Sequence, residues 1–301
     1  MKQFEQYLPK EIIKKGAVLS SFTTFGIGGK CLAVLLPRNK RELIACVKAC
    51  KVLNKRFQVL GNGSNILASS KNTRRVFIVT TNMEKVINLH ETSVNVGAGT
   101  HISELILWCE EKGLSGLECL FGIPATIGGC VMMNAGAFGQ ETYDCLEAVE
   151  IYNEGKVQLI DKNNISYSHH KTSLLNSSAI VLSAEFNFKR LAPSVIRSKI
   201  KEVMQKRTLT QPKGKSAGCV FRASQGIPAG KLIDELGLKG LRVGGAVVSD
   251  IHANFIINDG GATDKDVKKL IEIIQLKLKE KTGFEFEREI EYIGDRDDYY
   301  R

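Results

Sequence analysis

The chain has 301 residues, of which 43% are hydrophobic and 25% charged, and a formal net charge of +10. This is an ordinary balance for a globular protein of two or three domains, and the absence of any run of about 18 apolar residues argues against a transmembrane helix. The basic residues form no tail and no aromatic-basic repeat, so nucleic acid is not an expected partner.

A polyanionic small-molecule substrate accounts for the charge equally well. The opening Met1-Lys-Gln-Phe-Glu-Gln-Tyr has no apolar core after its basic residue, unlike a secretory signal, so a cytoplasmic protein is expected. Eight cysteines are present, and in that compartment they are expected as buried thiols rather than disulfides. Cys46 and Cys50 are one helical turn apart, but no second pair has matching spacing, and no metal site is expected.

In chain order, the first distinctive stretch is Thr23-Thr-Phe-Gly-Ile-Gly-Gly29. Lys40 to Leu53 carries Leu43, Ile44, Val47, Cys50 and Leu53 at helical spacing. Phe57–Leu60 reads as a short buried strand running into Gly61-Asn62-Gly63-Ser64-Asn65. A strand that feeds small residues with exposed amides and hydroxyls suits a phosphate. It is not the dinucleotide fingerprint, because Ile66 stands where the third glycine is required. Val76–Val79 and Val94–Val96 read as strands, and His101 to Lys112 as a helix with Ile102, Leu105, Ile106 and Cys109 inward.

The next stretch is Gly122-Ile-Pro-Ala-Thr-Ile-Gly-Gly-Cys-Val-Met-Met-Asn-Ala-Gly-Ala-Phe-Gly139. It is uncharged and too rich in glycine for a membrane span. Glycine permits close approach and unusual dihedrals, and Pro124 fixes one turn. Such a loop suits amides that contact a phosphate or a flat cofactor. The plainer alternative is a tight packing element without a ligand.

Ala148–Tyr152, Val157–Ile160 and Ala179–Phe188 read as strands, and Pro193 as a boundary. Val195 to Lys206 then reads as a basic helix. Gly214-Lys215-Ser216 resembles the end of a P-loop, but Leu209 stands where its first glycine belongs. Thr263 to Lys281 reads as a long amphipathic helix capped by Thr263, with Val267, Leu270, Ile271 and Ile274 inward. Gly283 to Gly294 is strand-like, with glutamates at every second position. Mixed strands and helices at irregular spacing indicate an α+β fold.

Five ordered segments carry a family resemblance: Thr-Phe-Gly-Ile-Gly-Gly, Leu-Gly-Asn-Gly-Ser-Asn, Gly-Ile-Pro-Ala-Thr-Ile-Gly-Gly with Met-Asn-Ala-Gly-Ala, Ser216-Ala-Gly-Cys-Val-Phe221, and His252-Ala-Asn-Phe-Ile-Ile-Asn258. Over about residues 20 to 294 the chain resembles the UDP-N-acetylenolpyruvoylglucosamine reductase family, in its shorter form without a tyrosine-bearing insertion. The resemblance implies an FAD-binding domain of the vanillyl-alcohol-oxidase kind over residues 1–190, in two subdomains split near 85. A smaller α+β substrate-binding domain would follow over 191–301.

The resemblance also implies a reaction and its residues. NADPH would reduce FAD, and the substrate would be a nucleotide sugar; a monomer is expected. FAD contacts are implied for Gly61, Asn62, Gly63, Ser64, Asn65, Gly122, Ile123, Pro124, Thr126, Gly128, Gly129, Asn134, Ala135 and Gly136. The proton-donor serine of the family falls on Cys219, and a thiol is the stronger acid. The second catalytic position falls on Glu289, with Glu287 and Glu291 as its neighbours in the alternation. The family's arginine in Tyr-Arg-x-Ser falls on Lys171, or in another register on Ser168 or His170. Lysine keeps the charge but loses the bidentate fork. Arg222-Ala-Ser224 stands where the family has Lys-Asn-Pro, losing an asparagine expected to touch the substrate. Arg207 to Lys215 is expected near the substrate diphosphate.

Overall fold

A computed structural model describes residues 3–85 and 87–294. Its first sheet has four strands in the order Ile13–Lys15, Ala33–Leu35, Val76–Val79, Phe57–Leu60, the last three mutually parallel. Parallel strands covered on both faces read as unbroken apolar runs, and Val76 to Val79 are all buried. Alternation divides them. Ala33, Leu35, Val76 and Ile78 share a core with Leu43, Cys46, Val47 and Cys50 of helix α1, Lys40–Val52. Val34, Phe77 and Val79 face the other way, onto Ala68 and Ile293. Cys46 and Cys50 thus lie within a hydrophobic core, as small apolar side chains do. The side chain of Asn39 caps α1 by accepting from the Glu42 amide at 2.9 Å.

The second sheet is antiparallel, in the order Lys156–Asp161, Leu146–Asn153, Ile180–Asn187, Ser93–Gly97, Ile87–His90. Helices α2 (Ile102–Lys112) and α3 (Ile127–Met133) supply Ile102, Leu105, Cys109, Ile127, Cys130 and Val131 to its core. Helix α4, Pro193–Thr210, has Pro193 at its start, where the missing N–H costs nothing. Its Ile196 and Ile200 pack into this same core, so core membership changes at the end of α4 rather than at Pro193.

The third core lies under α5 (Ala229–Glu235) and α6 (Asp264–Thr282), against the strands Arg242–Val243, Ala246–Val248 and Ile256–Asn258. Helix α6 is held at both ends as its sequence indicates. Thr263 and Asp266 form a capping box, and Gly283 closes the helix in the left-handed conformation. Phe25, Ile27 and Leu67, from the N-terminal part, belong to this core. The Thr23–Gly29 stretch is therefore a plug between cores, with Thr24 Oγ1 donating to the Ser216 carbonyl at 2.7 Å and Asn258 Nδ2 to that of Phe25 at 3.0 Å.

Two further links tie the parts together. Strand Glu291–Ile293 pairs in parallel with Ile66–Ala68. Asp264 accepts from the Ser70 amide at 2.9 Å and the Tyr292 hydroxyl at 3.1 Å, and its own amide donates to Ser70 Oγ at 3.0 Å. Burial alone would raise the Asp264 carboxyl, but the Ser70 bonds, Tyr292 and Lys268 together hold it below the usual range. Its contribution is present above the unfolded pKa and fades as pH falls toward the folded one. Asp264→Ala is expected to lower unfolding free energy by about 3 kcal/mol at neutral pH, with a smaller difference in acid. Urea titration at two pH values checks this; equal stability of variant and wild type at neutral pH would remove the clamp.

Candidate active site

One cavity of about 1840 Å³ is walled by the Gly61–Asn65 loop, the Gly122 stretch, Lys171, Cys219 and Glu289. Pockets for a single small ligand span roughly 300–1,000 Å³, so this one has room for a cofactor and a substrate together. Of the candidate catalytic and cofactor-binding residues all line it except Asn134, and of the register alternatives Lys171 and His170 line it while Ser168 does not. The Asn134 side chain is fully buried and occupied: Nδ2 donates to Glu141 at 2.6 Å and to the Ser168 carbonyl at 3.1 Å, and Oδ1 accepts from the Tyr143 amide. Asn134 braces the hairpin Tyr167–Thr172 behind the cavity wall.

The two glycine-rich walls differ in what they offer. Among the described residues, the amides of Asn62, Gly63 and Ser64 donate to no protein acceptor. Gly63 has φ +61°, and a Cβ there would lie 2.4 Å from the Phe22 carbonyl oxygen. A Cβ on Gly61 would lie 2.2 Å from Thr126 Oγ1, so this loop is pressed against the second one. Asn62 Nδ2 adds a bond to the Pro124 carbonyl at 2.8 Å. Spare, convergent amides on a rigid turn fit the diphosphate of a dinucleotide cofactor.

The Gly122 stretch offers fewer spare amides. Its amides are used inside the protein: Gly122 donates to Ser103 Oγ at 3.0 Å, Ala125 to Ile123, Ile127 to Thr100 and Gly128 to Ala98. The stretch forms a firm cavity wall and the start of α3, capped by Thr126, which accepts from the Gly129 amide.

Cys219 sits on a loop held from two sides. Asn254 grips Phe221, accepting from its amide at 3.0 Å and donating to its carbonyl at 2.8 Å, while the Val220 amide donates to the Asn254 carbonyl. Glu289 donates its amide to the Val220 carbonyl at 2.8 Å, and the Arg222 amide donates to Glu287. The thiol and the carboxylate are thus carried on adjoining backbone. The cofactor-side loop joins in, because Asn65 Nδ2 donates to the Glu289 carbonyl at 3.0 Å and the Glu291 amide donates to the Asn65 carbonyl at 2.8 Å.

The alternating glutamates do not form one face. Only Glu291–Ile293 is a regular strand, and the preceding residues twist so that Phe286 and Ile290 are buried. Glu285 and Glu287 point to solvent, whereas the Glu289 side chain is only 16% exposed. Burial raises the Glu289 carboxyl to about 7, opposed by Arg222 and then His169. Burial, followed by the neighbouring Glu289 charge, pushes the Cys219 thiol up to about 12, with an Asn254 hydrogen bond opposing. The thiol is therefore protonated at neutral pH, and the carboxyl is poised between its two states.

The hairpin separates the three register alternatives. His170 turns inward at φ +52°, and its Nδ1 lies 3.5 Å from Glu289 Oε1. Burial lowers its pKa to about 4, with His169 and Arg222 adding to the effect, so the ring is neutral. Lys171 lies at the rim, half exposed, with Nζ 2.9 Å from Glu287 Oε2. The Ser168 carbonyl is taken by Asn134. Arg207, expected near a diphosphate, is instead occupied by the carbonyls of Phe121 at 2.7 Å and Cys119 at 3.0 Å. That loop needs donors, and a buried guanidinium supplies them; Lys213 and Lys215 remain exposed.

Residues 31–159 match the FAD-binding domain family, and residues 210–293 match the C-terminal domain of UDP-N-acetylenolpyruvoylglucosamine reductase. A UDP-N-acetylenolpyruvoylglucosamine reductase of Caldicellulosiruptor saccharolyticus is 38% identical over 97% of this chain and 96% of its own length. The chain belongs to the UDP-N-acetylenolpyruvoylglucosamine reductase family. The reductase of Thermotoga petrophila is also 38% identical, over 91% of this chain and 96% of its own. The crystal structure of the reductase from Thermus caldophilus superposes with a TM-score of 0.78 at 35% identity, covering 92% of this chain and 98% of that one. The chain is thus an FAD-dependent oxidoreductase by family, and its α+β fold is the expected pairing of an FAD-binding domain with the reductase C-terminal domain.

Sequence reasoning missed two participants. Asn254 was visible only as part of the His252–Asn258 motif, which does not announce a clamp on the Cys219 loop. Arg222 read as a departure from the family, with no sign that it would sit beside Glu289.

Proposed function

We propose that this chain reduces the enolpyruvyl group of UDP-N-acetylenolpyruvoylglucosamine to UDP-N-acetylmuramate, with NADPH as reductant, in peptidoglycan precursor synthesis in the cytoplasm. The observation that carries this reading is the Cys219 thiol on backbone adjoining Glu289, in the wall of the same cavity as the spare amides of Asn62 to Ser64. FAD, when bound, supplies the hydride for the β-carbon of the enolpyruvyl ether. Asn62, Gly63 and Ser64 would hold the cofactor diphosphate through their amides.

The residues' own work is proton and charge management. Reduction at the β-carbon leaves negative charge on the α-carbon and its carboxylate. Cys219 hands its proton to the α-carbon, which its near-neutral state makes available. Glu289, in its protonated form, donates a hydrogen bond to the developing charge. Lys171 stays at the rim, paired with Glu287. The walls around Glu289 exclude water from the acid while it acts.

The test is a spectrum of the purified protein, followed by anaerobic NADPH and then substrate. A flavin spectrum that bleaches with NADPH and returns with UDP-N-acetylenolpyruvoylglucosamine is the expected result. Recovery only with oxygen would replace this reading by an oxidase of the same fold. A protein that takes up no FAD would overturn it.

A further inference from the structure

Among the described cations that line the cavity, Arg222 is the one with a buried donor left unpaired. Its Nη1 donates to two carbonyls of the hairpin turn, those of His170 at 2.9 Å and His169 at 3.3 Å. Nε is buried and has no hydrogen-bond partner, and Nη2 has none among the described residues. The Nε–Nη2 edge is the edge that grips a carboxylate with two parallel bonds. Leaving a buried donor unpaired costs free energy, and an incoming anion removes that cost. Lys171, in contrast, is exposed and already neutralised by Glu287 at 2.9 Å.

The surroundings fix what such an edge would receive. Arg222 lines the cavity together with Cys219, Glu289 and His170. Its own amide is anchored to the Glu287 carbonyl at 2.9 Å, and Phe221 is bridged to Arg288. The guanidinium is thus fixed at both ends, backbone and Nη1, which limits the entropy lost when a ligand docks. Glu289 lies close enough to feel its charge, and the open edge of a guanidinium is matched by a small planar anion such as a carboxylate.

We propose that Arg222, and not Lys171, anchors the carboxylate of the three-carbon side chain on the nucleotide sugar. This deepens the reading given under Proposed function and rests on it. On this assignment the carboxylate fork sits on the loop that carries Cys219 and leans on the hairpin turn through Nη1. A carboxylate on Arg222 would also lie next to Glu289, favouring the neutral carboxyl that donates a hydrogen bond.

Binding of two ligands to the FAD-loaded enzyme tests this by calorimetry. UDP-N-acetylmuramate carries the lactyl carboxylate, and UDP-N-acetylglucosamine lacks the side chain. The unmodified enzyme should prefer the former by about 10- to 100-fold. Arg222→Met should abolish that preference while keeping its FAD, and Arg222→Lys should retain only part of it. Lys171→Met should keep the preference. Survival of the preference in Arg222→Met, or its collapse in Lys171→Met alone, would overturn the assignment. An Arg222→Met protein that loses FAD is set aside for Arg222→Lys, where an unreduced preference is equally fatal. If the unmodified enzyme binds neither ligand, the substrate reading itself fails, and the anchor with it.

Discussion

Cys219→Ala will slow reoxidation of the reduced enzyme by its enolpyruvyl substrate by about 10²–10⁴-fold, the usual worth of a positioned general acid. Reduction by NADPH will stay within about twofold of the unmodified enzyme, because no proton has to reach the substrate in that half. The contrast follows from the location of the thiol: it sits on the loop that Asn254 and Glu289 hold, in the cavity wall beside Glu289. Cys219→Ser will keep measurable turnover, since a hydroxyl in the same place still donates a proton. Stopped-flow absorbance separates the two halves, and an equal loss in both would remove Cys219 from the role. The raised pKa of about 12 matters here. A cysteine activated as a nucleophile is deprotonated and exposed to oxidation, whereas this one is kept as an acid.

Glu289 carries the second large expectation, in its pH dependence. The carboxyl is raised to about 7 by burial, so it is protonated below that value and ionised above it. If it donates a hydrogen bond to the developing charge, the substrate half-reaction falls about tenfold per pH unit above about 7. Glu289→Ala removes the donor and slows that half-reaction by about 10²–10⁴-fold. Glu289→Gln keeps a donor and abolishes the titration, so its profile should be flat through the same range. A Gln variant that retains the unmodified profile would assign the titration elsewhere.

The same shift has a sign for stability. A carboxyl whose folded pKa is raised contributes fully below its unfolded pKa, and the contribution is lost as pH rises through about 7. Glu289→Gln should therefore unfold at higher urea concentration than the unmodified enzyme at pH about 8, by on the order of 2–3 kcal/mol. Activity and the stability contribution of this one side chain are therefore expected to fall together as pH rises through about 7.

Much of the scaffold was legible because its signals are local. Helix α1 shows its apolar spacing, and α6 shows both its cap and its stop. Strands of four or more apolar residues declared themselves, as Val76–Val79 did. Helix α3 was hidden because Gly128 and Gly129 read as loop, yet Thr126 caps it and tertiary contacts hold it. The strands of the C-terminal sheet have only two or three residues each, too short for any alternation to show. The glutamate run misled for a related reason, since alternation assumes a ladder and the chain joins one only at Glu291, after Glu289.

The site divides along the same line. Cys219 and Glu289 were reached through motifs, and nothing in spacing alone connects them. Arg222 owes its setting to carbonyls of a turn 52 residues upstream, and no local pattern encodes that. Likewise the difference between the two glycine-rich walls is a matter of where each amide bonds. Composition is silent on it.

The bond between Asn65 and Glu289 joins positions 224 residues apart. Closing so long a loop is entropically unfavourable until everything between has packed. The acid is therefore among the last parts of the centre to take its place. Because it is tied down by a three-residue strand, Glu291–Ile293, it is also among the first to come loose. Warming such an enzyme would loosen its acid before its hydrophobic cores melt, so that activity fails ahead of the fold.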